Sequence, residues 1–129
     1  MRSRILGAVL VAFFVAGGAF ASWYDDYDAG LAALRKGNYQ LCIQKMTAAI
    51  NAKPKEDNNA RSYGAIFINY HPYYYRGVAY LNTGKYEQAI KDFDTSMGPG
   101  EFDQGPLETL LQRAKSKLEA STTPEPPSP

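Results

Sequence analysis

A single histidine and a single cysteine set the first limit on what chemistry this 129-residue chain could perform. His71 lies in Tyr70-His71-Pro72-Tyr73 with no serine or cysteine nucleophile nearby in sequence, so it reads as structural or groove-lining and not as a general base. Cys42 has no partner for an internal disulfide, and one cysteine with one histidine cannot build a His/Cys metal cluster. Asp25, Asp26 and Asp28 are close enough to suggest calcium, but the EF-hand spacing and its terminal Glu are missing. They read instead as acids that favour a helix N-terminus. Tyr73-Tyr74-Tyr75 could stack bases, yet 14 Lys+Arg against 13 Asp+Glu leave a formal charge of +1 and no broad basic field. No catalytic pair or nucleophile, no cofactor, no metal and no nucleic acid is therefore expected.

The start of the chain has the marks of a targeting segment. Arg2 and Arg4 precede an apolar run from Ile5 to Ala21, which ends in Ala19-Phe20-Ala21, and no acid occurs before Asp25. Positive start, short apolar stretch and small-x-small end predict a secretory signal over residues 1–21, cleaved before Ser22. The alternative is a membrane anchor over residues 5–21, which would be at the lower length limit for spanning hydrocarbon. Export to the periplasm or the medium is the expectation. The absence of any Asn-x-Ser/Thr sequon leans toward a bacterial export product.

Beyond Ser22 the elements repeat at an offset of 47 residues. Tyr27 pairs with Tyr74, Gly30 with Gly77, Leu31 with Val78, Leu34 with Leu81, Gly37 with Gly84, Tyr39 with Tyr86, Ile43 with Ile90 and Met46 with Phe93. Each copy reads as two helices joined at a glycine. The spacing of Tyr73, Gly77, Tyr80 and Leu81 predicts one helix, opened by Pro72 and ended by Gly84. Tyr86, Ala89, Ile90, Phe93 and Met97 predict the buried face of the next.

The second copy resembles the tetratricopeptide repeat. Tyr73-x-x-Arg76-Gly77-x-x-Tyr80 followed by Ala89-x-x-x-Phe93 carries the likeness, and Gly84 to Ile90 is its strongest stretch. The first copy is degenerate: Asp26, Ala29 and Ala33 replace large residues, Cys42 takes the small position and Met46 the aromatic one. Arg76 replaces an apolar residue, and either pairs with an acid or reaches the groove. The resemblance implies an all-α fold, a short α-solenoid of two helix-turn-helix repeats and a C-terminal capping helix. Repeats would span residues 22–54 and 70–100. Small residues Gly30, Cys42, Gly77 and Ala89 would let the helices cross closely, with Tyr86 and Phe93 packed at the crossing.

Between the copies, residues 55–69 form an insert: a polar stretch, Lys55 to Asn59, then the apolar run Ala65-Ile66-Phe67-Ile68, whose conformation periodicity cannot settle. Pro106 opens a capping helix over residues 105–120 with Leu107, Leu110, Leu111, Ala114 and Leu118 on one stripe. The Pro-rich tail, 121–129, is expected to be disordered. By resemblance the molecule is a non-catalytic adaptor that receives a protein or peptide segment in a concave groove. Tyr24, Tyr27, Leu31, His71, Tyr74, Tyr75 and Val78 are its candidate lining. Family members that clamp a C-terminal carboxylate use Lys, Arg and Asn on these helices, and Tyr27 and Tyr74 do not support that clamp here. The second reading is an accessory subunit of a larger envelope assembly, with self-association allowed and membrane contact only through an uncleaved signal.

Overall fold

The computed structural model describes residues 21–98 and 104–123, so the expected signal up to Phe20 and the tail beyond Thr123 lie outside the described residues. Ser22 is the N-cap of α1 (Trp23–Arg35), whose first turn holds Asp25 and Asp26 against the positive end of the helix dipole. Gly37, at φ 74°, ends α1 in the left-handed region, where its N–H donates to Leu34 C=O and the Asn38 N–H reaches Ala33 C=O. The Asn38 side chain then accepts from Leu41 N–H and caps α2 (Tyr39–Ala52).

The same devices return in the second copy. α3 (Pro72–Asn82) carries proline in its first turn, and Gly84, at φ 76°, ends it. Gly84 N–H donates to Leu81 C=O and Lys85 N–H to Tyr80 C=O before α4 (Tyr86–Thr95) begins. The backbone hydrogen bonds of the two turns match under the 47-residue offset, while the side-chain cap of Asn38 has no counterpart at Lys85.

The helices pack in chain order, α1 on α2, α2 on α3, α3 on α4 and α4 on α5 (Gly105–Thr122). Within each repeat the crossing is set by glycine. A Cβ at Gly77 would lie 2.6 Å from Phe93 Cε1, and one at Gly30 would lie 2.8 Å from Met46 Cε. Cys42 and Ala89 are fully buried, and Cys42 Sγ lies 3.9 Å from Tyr75 C=O, so the first repeat meets the backbone of α3 through a small side chain. One buried cluster joins Tyr27, Cys42, Met46 and Ala49 to Ala60, Tyr70 and Ala79, and a second joins Leu81, Ala89 and Phe93 to Leu107 and Ala114. Tyr86 is packed, half-buried, against the second.

The insert corrects the all-α expectation. Asp57–Arg61 (β1) and Phe67–Tyr70 (β2) pair antiparallel, with Ala60 opposite Ile68 and a bulge between Asp57 and Ala60, so the fold is mainly helical with a two-stranded sheet. Gly64, at φ 57°, turns the hairpin, and Ser62 N–H closes it on Ile66 C=O. Alternation along β2 turns Ile68 and Tyr70 inward and Phe67 and Asn69 outward. The apolar run Ala65-Ile66-Phe67-Ile68 is therefore largely in water, with Ile66 and Phe67 exposed and Ile68 packed against the first cluster. Two other expectations shift. Met97 lies beyond the end of α4 and is exposed, not on its buried face. Ser121 and Thr122 continue α5 past residue 120, so the tail expected to lack order starts later than the sequence implied.

The crossing glycines differ in what they face, and this separates two substitutions. Gly77→Ala drives a methyl into a rigid ring and is expected to cost about 2 kcal/mol in urea unfolding. Gly30→Ala meets the flexible end of Met46, and helix propensity returns up to about 1 kcal/mol, so its net effect is expected near zero.

Candidate interaction surface

The expected groove residues divide by exposure. Tyr27 is 3 % exposed and belongs to the core. Its hydroxyl donates to Asn69 C=O at 3.0 Å and accepts from His71 N–H at 3.3 Å, and burial raises the phenol well above its ordinary pKa. His71 is 1 % exposed. Neither residue can touch a ligand from these positions, so both leave the candidate lining. The hairpin is the physical cause: Asn69 and Tyr70 lie over Tyr27, and the Tyr70 ring meets Trp23 and Tyr27 at centroid distances of 4.7 and 5.0 Å.

Tyr24, Leu31, Tyr74, Tyr75 and Val78 remain half-buried on α1 and α3, the first helices of the two repeats. Tyr74 and Tyr75 meet edge to face at 5.0 Å, and Tyr75 also contacts Tyr27 at 6.2 Å. Partial burial raises the pKa of both phenols. Tyr24 contacts Tyr63 of the hairpin turn at 5.5 Å, which brings the insert beside this face. The arrangement offers ring edges and hydroxyls to an approaching chain, a combination suited to apolar contact with backbone hydrogen bonding.

Arg76, whose direction the sequence left open, pairs with an acid. Its Nε and Nη2 donate to Asp92 Oδ2 and Oδ1, both at 2.8 Å, and Nη1 donates to Thr47 Oγ1. The Asp92 hydrogen bonds raise the guanidinium pKa further. The guanidinium also stacks near Tyr73 and Tyr80. The charge at a position that is apolar in the repeat pattern is thus absorbed as a fork joining α3, α4 and α2.

Sequence reasoning passed over Glu56, which stood only as part of a polar stretch. It is 5 % exposed. Its carboxylate accepts from Met97 N–H at 2.6 Å, Tyr73 N–H at 3.2 Å and Ser96 Oγ, and lies 3.3 Å from His71 Nδ1. One side chain therefore ties the insert to the start of α3 and to the chain leaving α4. Ser96 bonds to Glu56 and not to His71, and His71 Nε2 is buried without a hydrogen-bond partner among the described residues. The cluster has the geometry of a clasp, with no serine aligned on the imidazole as a nucleophile would be. Among the described residues no three His, Cys, Asp or Glu side chains converge as a metal site.

Residues 71–97 match the model of the tetratricopeptide repeat family, a stretch that covers α3, the Gly84 turn and α4. No curated protein matches the chain. No solved structure matches it either. A tetratricopeptide repeat is a module of protein–protein interaction.

Two measurements test the interior of this surface. Glu56→Ala removes the acceptor of the part-buried Met97 and Tyr73 N–H groups and of the Ser96 hydroxyl, and is expected to cost about 3 kcal/mol in chemical unfolding. Burial pushes the Cys42 thiol up to about 11, so at pH 8 the native protein should alkylate far more slowly than its urea-unfolded form.

Proposed function

Proceeding from the tetratricopeptide repeat at residues 71–97, we propose that this chain is an exported, non-catalytic adaptor that holds a segment of another protein against the first helices of its repeats. The observation that supports this reading is the set Tyr24, Leu31, Tyr74, Tyr75 and Val78, aromatic and aliphatic side chains that remain only partly buried on α1 and α3. Such side chains keep contact area in water at a free-energy cost that a bound segment removes. Export is supported by Arg2, Arg4, the apolar run and Ala19-Phe20-Ala21. Cleavage before Ser22 would leave that residue as the N-cap of α1, with Ser22 Oγ donating to Asp25 at 2.6 Å. Among the described residues no helix is long and apolar enough to cross a membrane.

A second reading is favoured by α5. Leu110, Leu111 and Leu118 on this last helix are only half-buried, as though a further element were to stack there. In that case the chain is an accessory subunit of an envelope assembly. Sedimentation at micromolar and nanomolar concentrations separates the two, with a stable monomer expected for the adaptor.

Affinity capture from an envelope extract tests the groove. Tyr24→Ala/Tyr74→Ala is expected to lose the partner recovered by the unsubstituted protein while keeping its helical circular dichroism. Equal recovery by both would remove the assignment of this face.

A further inference from the structure

Where α3 ends, the turn into α4 and the middle of α5 border a cleft of about 430 Å³, within the range of ligand sites. Val78, Leu81 and Leu110 form its apolar part, and Asn82, Arg113 and Lys117 its polar part. No Asp or Glu lines it. Arg113 and Lys117 are exposed and stand one helical turn apart, and neither makes an ion pair among the described residues. Like charges at this spacing repel and weaken a free helix, a cost that an anion between them would reverse. Asn82 Nδ2 donates to Val78 C=O at 2.8 Å, which fixes the amide at the rim and leaves its other N–H to a ligand.

We propose that this cleft binds a peptide segment in which an Asp or Glu carboxylate neighbours a large aliphatic side chain. The carboxylate lies between Arg113 and Lys117, and the aliphatic group rests on Val78, Leu81 and Leu110. A small inorganic anion would satisfy the cations and leave the apolar part in water, so the combination selects a peptide. Nucleic acid is disfavoured by the chain's formal charge of +1, which supplies no broad basic field around the two cations. The inference deepens the adaptor reading and rests on it, because it extends the interaction face from α1 and α3 onto α5. It also gives that face a chemical preference that its tyrosines alone do not supply.

The test is amide chemical-shift mapping on the full chain with two unlabelled pentapeptides, acetyl-Leu-Glu-Leu-Glu-Leu-amide and its Gln counterpart. Saturable shifts of Asn82, Gly84, Arg113 and Lys117 are expected with the Glu peptide. They should weaken about tenfold or more in Arg113→Glu/Lys117→Glu and decline as salt is raised. Inorganic phosphate at the same concentration should not reproduce them. Equal shifts with the Gln peptide, or with phosphate alone, overturn the proposal. Shifts confined to Tyr24, Leu31, Tyr74 and Tyr75 overturn it while leaving the adaptor reading in place. No shift at any residue overturns it as well, and the capture experiment with Tyr24→Ala/Tyr74→Ala then decides the adaptor reading independently.

Discussion

Helix axes can approach only as closely as the side chains between them allow, and in this protein that distance is set at Gly30 and Gly77. Each presents bare backbone to the second helix of its own repeat, and Met46 or Phe93 fills the space a Cβ would have taken. The partners stand 16 residues downstream in both copies, so one geometric rule operates twice. Once the hairpins are closed in this way, Cys42 and Ala89 can face the neighbouring element with nothing larger than a methyl or thiol. The stacking order of α1 to α5 follows from those two contacts, and the exposed face follows from the stacking.

Glu56 supplies a different kind of constraint. Helical repeats separated by an insert gain nothing from it unless the insert is fastened, because a two-stranded hairpin is marginal alone. Here the carboxylate binds the N–H of Tyr73 at the start of α3, where orphan donors and the helix dipole both favour it. The same group binds the Met97 N–H where the chain has left α4. Tyr70 adds a hydroxyl bond to Lys53 C=O, and its ring fills the space above Tyr27. The hairpin thereby becomes part of the first core and shields one end of it from water.

What the sequence made legible was whatever repeats or whatever a local rule governs. The turns at Gly37 and Gly84, proline opening α3 and the apolar stripes of α4 and α5 are each decided within a few residues, and apart from Met97 they stand where the pattern placed them. The hairpin escaped because β1, Asp57–Arg61, has Ala60 as its one apolar residue and so no alternation to detect. Glu56 escaped for a related reason: its partners lie 15 to 41 residues away, and nothing about an acid in a polar stretch announces that it will be buried. Tyr27 was assigned to the groove by its match with Tyr74, and the assignment failed because equal sequence positions acquired unequal neighbours.

That inequality has a consequence for where a partner can bind. Tyr27 and Tyr74 are equivalent under the 47-residue offset, yet Asn69 and Tyr70 lie over the first, whereas the second meets the rings of Tyr75 and Phe93 and stays half-buried. The insert therefore withdraws Tyr27 from the interaction face, while Tyr24 and Leu31 of the earlier repeat and Tyr74, Tyr75 and Val78 of the later one stay half-buried. The degeneracy of the first copy fits this division. Asp26 replaces the large residue matched by Tyr73 and is held near Lys45 at 3.7 Å, whereas the second copy retains its aromatic and adds the Arg76–Asp92 fork. Residues 71–97, the segment that matches the family model, thus also carry the half-buried Tyr74, Tyr75 and Val78, and Leu110 and Leu111 of α5 pack against the same second cluster as Tyr74 and Val78.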